Sequence, residues 1–216
     1  GEVVAAKTTG NRTALRSYQP NVKNPNTLRQ QVSRAKLALA SKTAAALAAA
    51  IELGYANAVS GTKMYPRNMF VKDIIPTDAR VINLSNNEPT LDPEKLVVSK
   101  ALGITVKPDI TMGQGSATGS LLFSANNPRD VEIKEGEVLG MVLALYNPET
   151  NHAVVKQGIV ETGIELSADE AASLVGYFPY VFYKVVPEAV NGVNQETIPW
   201  KYPSPTSATL AMVPIA

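Results

Sequence analysis

The stretch from Thr27 to Leu53, TLRQQVSRAKLALASKTAAALAAAIEL, constrains this chain more than any other. Thr27 and Gln30 have the T-x-x-Q spacing of a capping box, and Pro25 just upstream marks a helix boundary. Leu28, Val32, Ala35, Leu39, Ala46, Ala50 and Leu53 recur at helical steps, with Thr43 in the gap, so they share one side of a helix. Arg29, Arg34 and Lys36 lie off that seam, where a docked helix still presents them. The second half is rich in Ala, which lets another helix or a sheet approach closely. Gly54 supplies the expected stop. The pattern predicts a single long helix over 27–53.

What flanks this helix differs in kind on its two sides. Residues 1–26 are dominated by Gly, Asn, Thr, Ser and Pro and show no periodic apolar face after Val3–Ala6. They read as an extended basic arm that cannot bury enough apolar surface to fold alone. A partner subunit is the expected holder, with packing on its own chain as the alternative. Residues 27–78 form the helical segment, with a second, shorter helix over 65–75 that starts at Pro66 and has Phe70, Val71, Ile74 and Ile75 on one face.

From residue 79 to 216 the character changes to short apolar runs punctuated by Gly, Pro and Asn. Strands are expected at 80–84, 95–100, 104–108, 119–125, 138–147, 152–162, 180–186 and 208–214. Tyr180 and Tyr183 fall in different alternation registers, which predicts burial on both faces of their strand. Asn147–Asn151 reads as a hairpin connection, and Ser167 as the N-cap of a short helix ending near Gly176. The Pro-rich stretch 187–207, with Trp200 and Tyr202, reads as a contact loop. The expected fold is mainly β (α+β): an N-terminal arm and an Ala-rich helix, followed by an antiparallel, Ig-like β-sandwich.

Charge is distributed unevenly. Residues 1–50 hold eight basic side chains (Lys7, Arg12, Arg16, Lys23, Arg29, Arg34, Lys36 and Lys42) against Glu2 alone, whereas residues 51–216 hold twelve basic and eighteen acidic ones. Such a split points to a basic arm that meets a polyanion or an acidic protein surface. Nucleic acid is one possible partner, but Tyr18 is the sole aromatic among these cations, so contact would be with the phosphate backbone. Docking on the acidic body of a neighbouring copy is the reading placed first. Seven cations (Lys7, Arg12, Arg16, Lys23, Arg29, Arg34 and Lys36) are the candidate partner or nucleic-acid residues.

Catalytic motifs are missing. The chain has no Cys, which removes disulfides, thiolate chemistry and Cys-ligated zinc. His152 is the single His and precedes a strand, so a hairpin histidine is favoured over a ligand or base. The carboxylates Asp130, Glu132, Glu135 and Glu137 lack the spacing of an EF-hand loop and are interrupted by Lys134. Gly113, Gly115 and Gly119 are followed by strand residues rather than a helix, which disfavours a phosphate-cradling loop. Ser116, Ser120 and Ser124 lack a nucleophile elbow. No catalytic residue, cofactor or metal is expected. There is no apolar run of roughly eighteen residues to span a membrane, and GEVVAAKTTGNRT lacks the regions of a signal peptide.

The stretch Asn24-Pro25-Asn26-Thr27-x-x-Gln30-x-x-x-Arg34-Ala35-Lys36-x-Ala38-x-x-Ser41-Lys42 resembles the N-terminal signature of a domain-of-unknown-function family from gut Bacteroidota and associated phages. Tyr146-Asn147-Pro148-Glu149 is similar to that family's strand-end turn. Asn26 stands where Arg is commoner, and the first residues are less Gly-rich than in the family. The resemblance implies an architecture and a phage or bacterial setting, not a reaction. The expected role is a non-enzymatic assembly protein, most plausibly a phage virion component acting in a homo-oligomer or larger assembly. The alternatives are an Ig-like surface or adhesion module that binds a glycan or protein, located at a cell surface, and a sequence-independent nucleic-acid-binding protein.

Overall fold

The computed structural model describes residues 3–8, 12–17, 26–75, 82–85, 88–100, 110–125, 133–187 and 210–211. Strands β1 (Val3–Thr8) and β2 (Arg12–Ser17) pair antiparallel, from Val3 opposite Ser17 to Thr8 opposite Arg12. This part of the arm is therefore a hairpin, a correction to the reading of 1–26 as simply extended. The missed signal is Thr9-Gly10-Asn11, whose composition suits a short turn between two strands.

Helix α1 (Leu28–Ala46) starts where Thr27 Oγ1 accepts from the Gln30 amide at 3.4 Å. The reciprocal half of the capping box is absent: the Gln30 carbonyl oxygen is buried and unpartnered, and Gln31 Nε2 donates to the Asn26 carbonyl instead. The single helix expected over 27–53 is in fact two. The axis turns by 84° at Leu47 and continues as α2 (Ala48–Gly54). Backbone bonding runs through the bend, from Leu47 to the Thr43 carbonyl and from Ile51 to the Leu47 carbonyl, so no local stop signal marks it. Leu47 at the bend and Ile51 one turn later are both fully buried. A four-residue helix α3 (Ala56–Val59) follows, and then α4 (Pro66–Ile74), with Pro66 in its first turn where a missing N–H costs nothing. Tyr55 and Phe70 meet edge to face at 5.7 Å and tie α4 to the end of α2.

Strands β3 (Ile82–Ser85) and β4 (Glu88–Leu91) form a small hairpin, with β4 packed along α1. The next segment, expected as a strand over 95–100, is a correction. It is a 3-10 turn at Pro93–Lys95 followed by an unpaired extended run. Leu96 and Val98 are buried and Val97 is exposed, so the alternation is that of a strand. Its partner, however, is a helix end: the Lys100 amide donates to the Gly54 carbonyl at 2.9 Å, and the Tyr55 hydroxyl donates to the Val97 carbonyl at 3.2 Å.

The remaining elements are β5 (Ile110–Gln114), β6 (Leu121–Ala125), β7 (Glu137–Asn147), β8 (His152–Ile159), β9 (Ile164–Leu166), α5 (Ala168–Ser173), β10 (Phe178–Pro187) and β11 (Leu210–Ala211). They build two antiparallel sheets, ordered β11-β10-β7-β8 and β5-β6-β9. The β7–β8 connection is the expected hairpin: Asn147 Oδ1 accepts from the Glu149 and Thr150 amides, and Asn151 takes the left-handed φ of 52° that this residue type tolerates. At α5 the full capping box forms between Ser167 and Glu170. The strand expected over 104–108 lies outside the described residues, as does most of 208–214.

The four-stranded sheet is the middle layer. On β7, Val142, Ala144 and Tyr146 face the helices, while Leu139, Met141, Leu143 and Leu145 face the three-stranded sheet. On β10, Tyr180 and Phe182 take the first side, and Val181 and Tyr183 the second. Tyr180 and Tyr183 are thus buried on opposite faces, as their registers predict. Each fully buried Leu, Val or Phe here is worth about 1.5–3 kcal/mol, so a pair of strands buried on both faces concentrates the stability of the body. The described residues make an α+β fold: helices on one face of a central antiparallel sheet, and a second sheet with α5 on the other.

Candidate functional site

The seam read along the long helix is only partly the face that docks. The buried residues of α1 and α2 are Ala40, Thr43, Ala44, Ala50, Ile51 and Gly54, with Leu47 buried between them. Leu39, Ala46 and Leu53 from the predicted seam are half-buried beside them. This face, followed back by seven residues, arrives at Leu37, Lys36 and Ser33, and by seven more at Gln30 and Arg29. In this first half of α1 the half-buried positions are Gln30, Val32, Ala35, Lys36 and Leu39, close to the predicted seam, whereas Arg29, Ser33 and Leu37 are exposed and no residue from Leu28 to Leu39 is fully buried.

Of the predicted site residues, Arg29 and Arg34 are exposed on α1 and Lys36 is half-buried. Lys7, Arg12 and Arg16 fall on the β1–β2 hairpin, with Lys7 opposite Thr13, Arg12 opposite Thr8 and Arg16 opposite Val4. Lys23, Trp200 and Tyr202 lie outside the described residues. The structure adds cations that the sequence reading did not select. Arg67 and Lys72 on α4 are exposed beside α1, and Arg67 Nη2 donates to the Ser41 carbonyl at 3.3 Å. Between the two helices lies an open groove of about 640 Å³, with Leu37 and Val71 among its lining and Arg67 and Lys72 at its charged side. Lys72 lies off the Phe70, Val71, Ile74 and Ile75 face of α4, and its nearness to α1 is what the sequence hides.

Within residues 26–75, seven cations (Arg29, Arg34, Lys36, Lys42, Lys63, Arg67 and Lys72) stand against Glu52 and Asp73, and Asp73 is held by Lys100 at 2.7 Å. With the segment 88–100, which packs on the same side and brings Glu88, Asp92 and Glu94 against Lys95 and Lys100, the described helical side is still net positive by four. α1 is anchored to the body by a buried polar relay. Thr43 Oγ1 donates to the Leu39 carbonyl at 3.1 Å and sits 3.4 Å from the Tyr146 hydroxyl, which itself donates to Asn151 Oδ1 at 3.0 Å. Burial pushes the Tyr146 phenol up from its ordinary value, partly offset by Thr43.

The other motifs turn out to be structural pins. Glu165 on β9 accepts from the Ser120 hydroxyl at 2.7 Å, the Ser116 hydroxyl at 2.8 Å and the Ser116 amide at 2.6 Å, which closes the glycine-rich β5–β6 turn. These bonds, the Ser120 hydroxyl first, hold its carboxyl below the usual carboxylate range. Both hydroxyls donate to a carboxylate and neither meets a His. His152 Nδ1 lies 3.0 Å from the Tyr177 hydroxyl at the end of the β7–β8 hairpin, a hairpin histidine as expected. Glu135 and Glu137 flank the turn into β7, where Glu137 Oε2 accepts from the Lys134 amide at 3.2 Å; Asp130 and Glu132 lie outside the described residues. Among the described residues no three His, Asp or Glu side chains are grouped to hold a metal, and no single helix is long and apolar enough to cross a membrane. No protein-family model, curated protein or solved structure matches this chain.

Proposed function

We propose that this chain is a non-enzymatic assembly protein whose basic N-terminal hairpin and projecting α1 contact neighbouring subunits. The observation that carries the reading is the first half of α1. It holds the apolar side chains Leu28, Val32 and Leu37 and the cations Arg29 and Lys36, yet nothing from Leu28 to Leu39 is buried. A helix of this kind gains most of its stability from packing an apolar face, so the natural completion is a second surface laid against it. A phage virion is the setting implied by the resemblance of residues 24–42.

For the fold, the proposal keeps the Ig-like description, because the two packed sheets have four and three strands, the count of a constant-type immunoglobulin sandwich. The helical layer covers the face of the four-stranded sheet that such a domain leaves open, which favours assembly over ligand recognition on that face. Deleting residues 1–26 and measuring the native mass by sedimentation tests the function. Fewer chains per particle than in the intact protein are expected; an unchanged number of chains per particle refutes the role of the N-terminal hairpin in assembly.

A further inference from the structure

Among the described residues, the helical layer and the β9–α5 side of the body are opposite in sign. The helical layer has the excess of five positive charges counted above for residues 26–75. Residues 110–125 carry no charged side chain, and residues 133–187, which include three strands of the central sheet itself, carry seven carboxylates against three lysines, four of the carboxylates (Glu161, Glu165, Asp169 and Glu170) lying in the β8–β9 turn, β9 and α5. Two of those lysines are spent internally, Lys156 on Glu170 at 2.7 Å and Lys184 within the body. The carboxylates left on the surface include Glu161 in the β8–β9 turn, Glu165 on the outward side of β9 and Asp169 in the first turn of α5. β9 alternates with Ile164 and Leu166 inward, so Glu165 points away from the helices.

Each surface also carries apolar side chains that its own chain leaves uncovered. On the basic side these are Leu28 and Leu37, 59% and 52% exposed; on the far side it is Val175 after α5, 55% exposed. Leu37 forms one lip of the α1–α4 groove, and Arg67 and Lys72 supply its charge. A protein surface with carboxylates around apolar knobs fits this groove better than a nucleic acid does, because a phosphate backbone has nothing to place against Leu37 and Val71.

We infer that the groove between α1 and α4 receives the acidic β9–α5 surface of a second copy of this chain, so that copies join head to tail. This rests on the assembly reading above and specifies which surfaces meet. The contact is heterologous, since one copy offers its basic face and the next its acidic one. Repetition then gives a ring if the rotation closes and a filament if it does not. Charge complementarity sets register and encounter rate, and the apolar lips supply the desolvated centre.

The test is a charge swap between molecules. Arg67→Glu with Lys72→Glu reverses the groove, and Glu161→Lys with Asp169→Lys reverses the opposite surface; none of these four side chains is buried. Melting curves first establish that both variants fold. Each variant alone is expected to associate at least about tenfold more weakly than wild type by sedimentation velocity, because like charges then face each other across the contact. An equimolar mixture is expected to regain association, since each reversed face now meets its complement. Raising salt from about 0.1 M to about 1 M, which shrinks the Debye length from ~10 Å to ~3 Å, should weaken wild type and mixture alike.

Wild-type association in either reversed variant, or a mixture no better than its components, overturns the inference. If removal of residues 1–26 still lowers the number of chains per particle in that case, the assembly reading survives without the groove contact. An unchanged number of chains per particle in the deletion and both reversals refutes both. Binding of a short double-stranded DNA that is lost in the Arg67→Glu, Lys72→Glu variant, with protein mass unaffected, overturns the second copy in favour of phosphate.

Discussion

Replacing Gly54 by Ala sets two principles against each other. Gly54 ends α2 and is buried against the extended run that follows the 3-10 turn. An added Cβ would overlap the Val98 carbonyl oxygen and lie 2.8 Å from both Cα and Cβ of Ser99. In an exposed helix the change would be favourable by about 1 kcal/mol through propensity. Here most of the opposing atoms belong to a backbone, which cannot swing aside, and overpacking of this sort costs about 1–3 kcal/mol. Pushing the run away also breaks the bond from the Lys100 amide to the Gly54 carbonyl, worth about 1 kcal/mol. The net expectation is a loss of about 1–3 kcal/mol, and at ~2–4 °C per kcal/mol for a chain of this size the melting temperature falls by roughly 2–12 °C. Gly113→Ala on the exposed β5 is the control, since nothing lies within 4 Å of the added carbon; it should stay within about 0.5 kcal/mol. A Gly54→Ala melting temperature equal to or above wild type refutes the close approach.

Two further outcomes follow from the interior. Thr43→Val keeps the volume but removes the hydroxyl that bonds Leu39 and meets Tyr146, so urea titration should show a loss of about 1 kcal/mol; combined with Tyr146→Phe, the loss should be less than additive because both act on one relay. Burial lowers the Lys184 amine from its ordinary 10.5 to about 8. Between those values the unfolded chain holds a proton that the folded chain has released, so this group makes stability rise with pH across that window. Lys184→Met should flatten that part of the profile; an identical slope in both proteins counts against it.

Local chemistry explains which parts of the fold were legible in the sequence. β7, β8, β10, α4 and α5 each carry their own signal: an apolar run between turn residues, a Pro at a helix start, or a Ser three residues before a Glu. The hidden features depend on partners remote in sequence. The bend at Leu47 lies in a run of Ala with no Gly or Pro. The alternation of Leu96 to Val98 was legible, but not that its partner is the end of α2. Gly54 reads as a helix stop, whereas the structure uses it as a gap for Val98 and Ser99. Charge partition was visible as a split along the chain; that the basic residues 26–75 lie on one side of the central sheet needed the fold. Arg67 and Lys72 were missed for the same reason, since they become a site only beside Leu37 and Ser41.

The central sheet also sets an order of events during synthesis. Everything the helices pack against on its near face, from Val142, Ala144 and Tyr146 to Tyr180 and Phe182, comes later in the chain. Thr43 waits 103 residues for Tyr146, which at about 5–20 residues per second is an interval of roughly 5–20 s. Throughout that interval a basic, half-apolar helix is outside the ribosome with its docking stripe bare. Arg29, Arg34 and Lys36 give that helix a like charge in every nascent chain, and the repulsion opposes pairing between neighbouring chains until the sheet arrives.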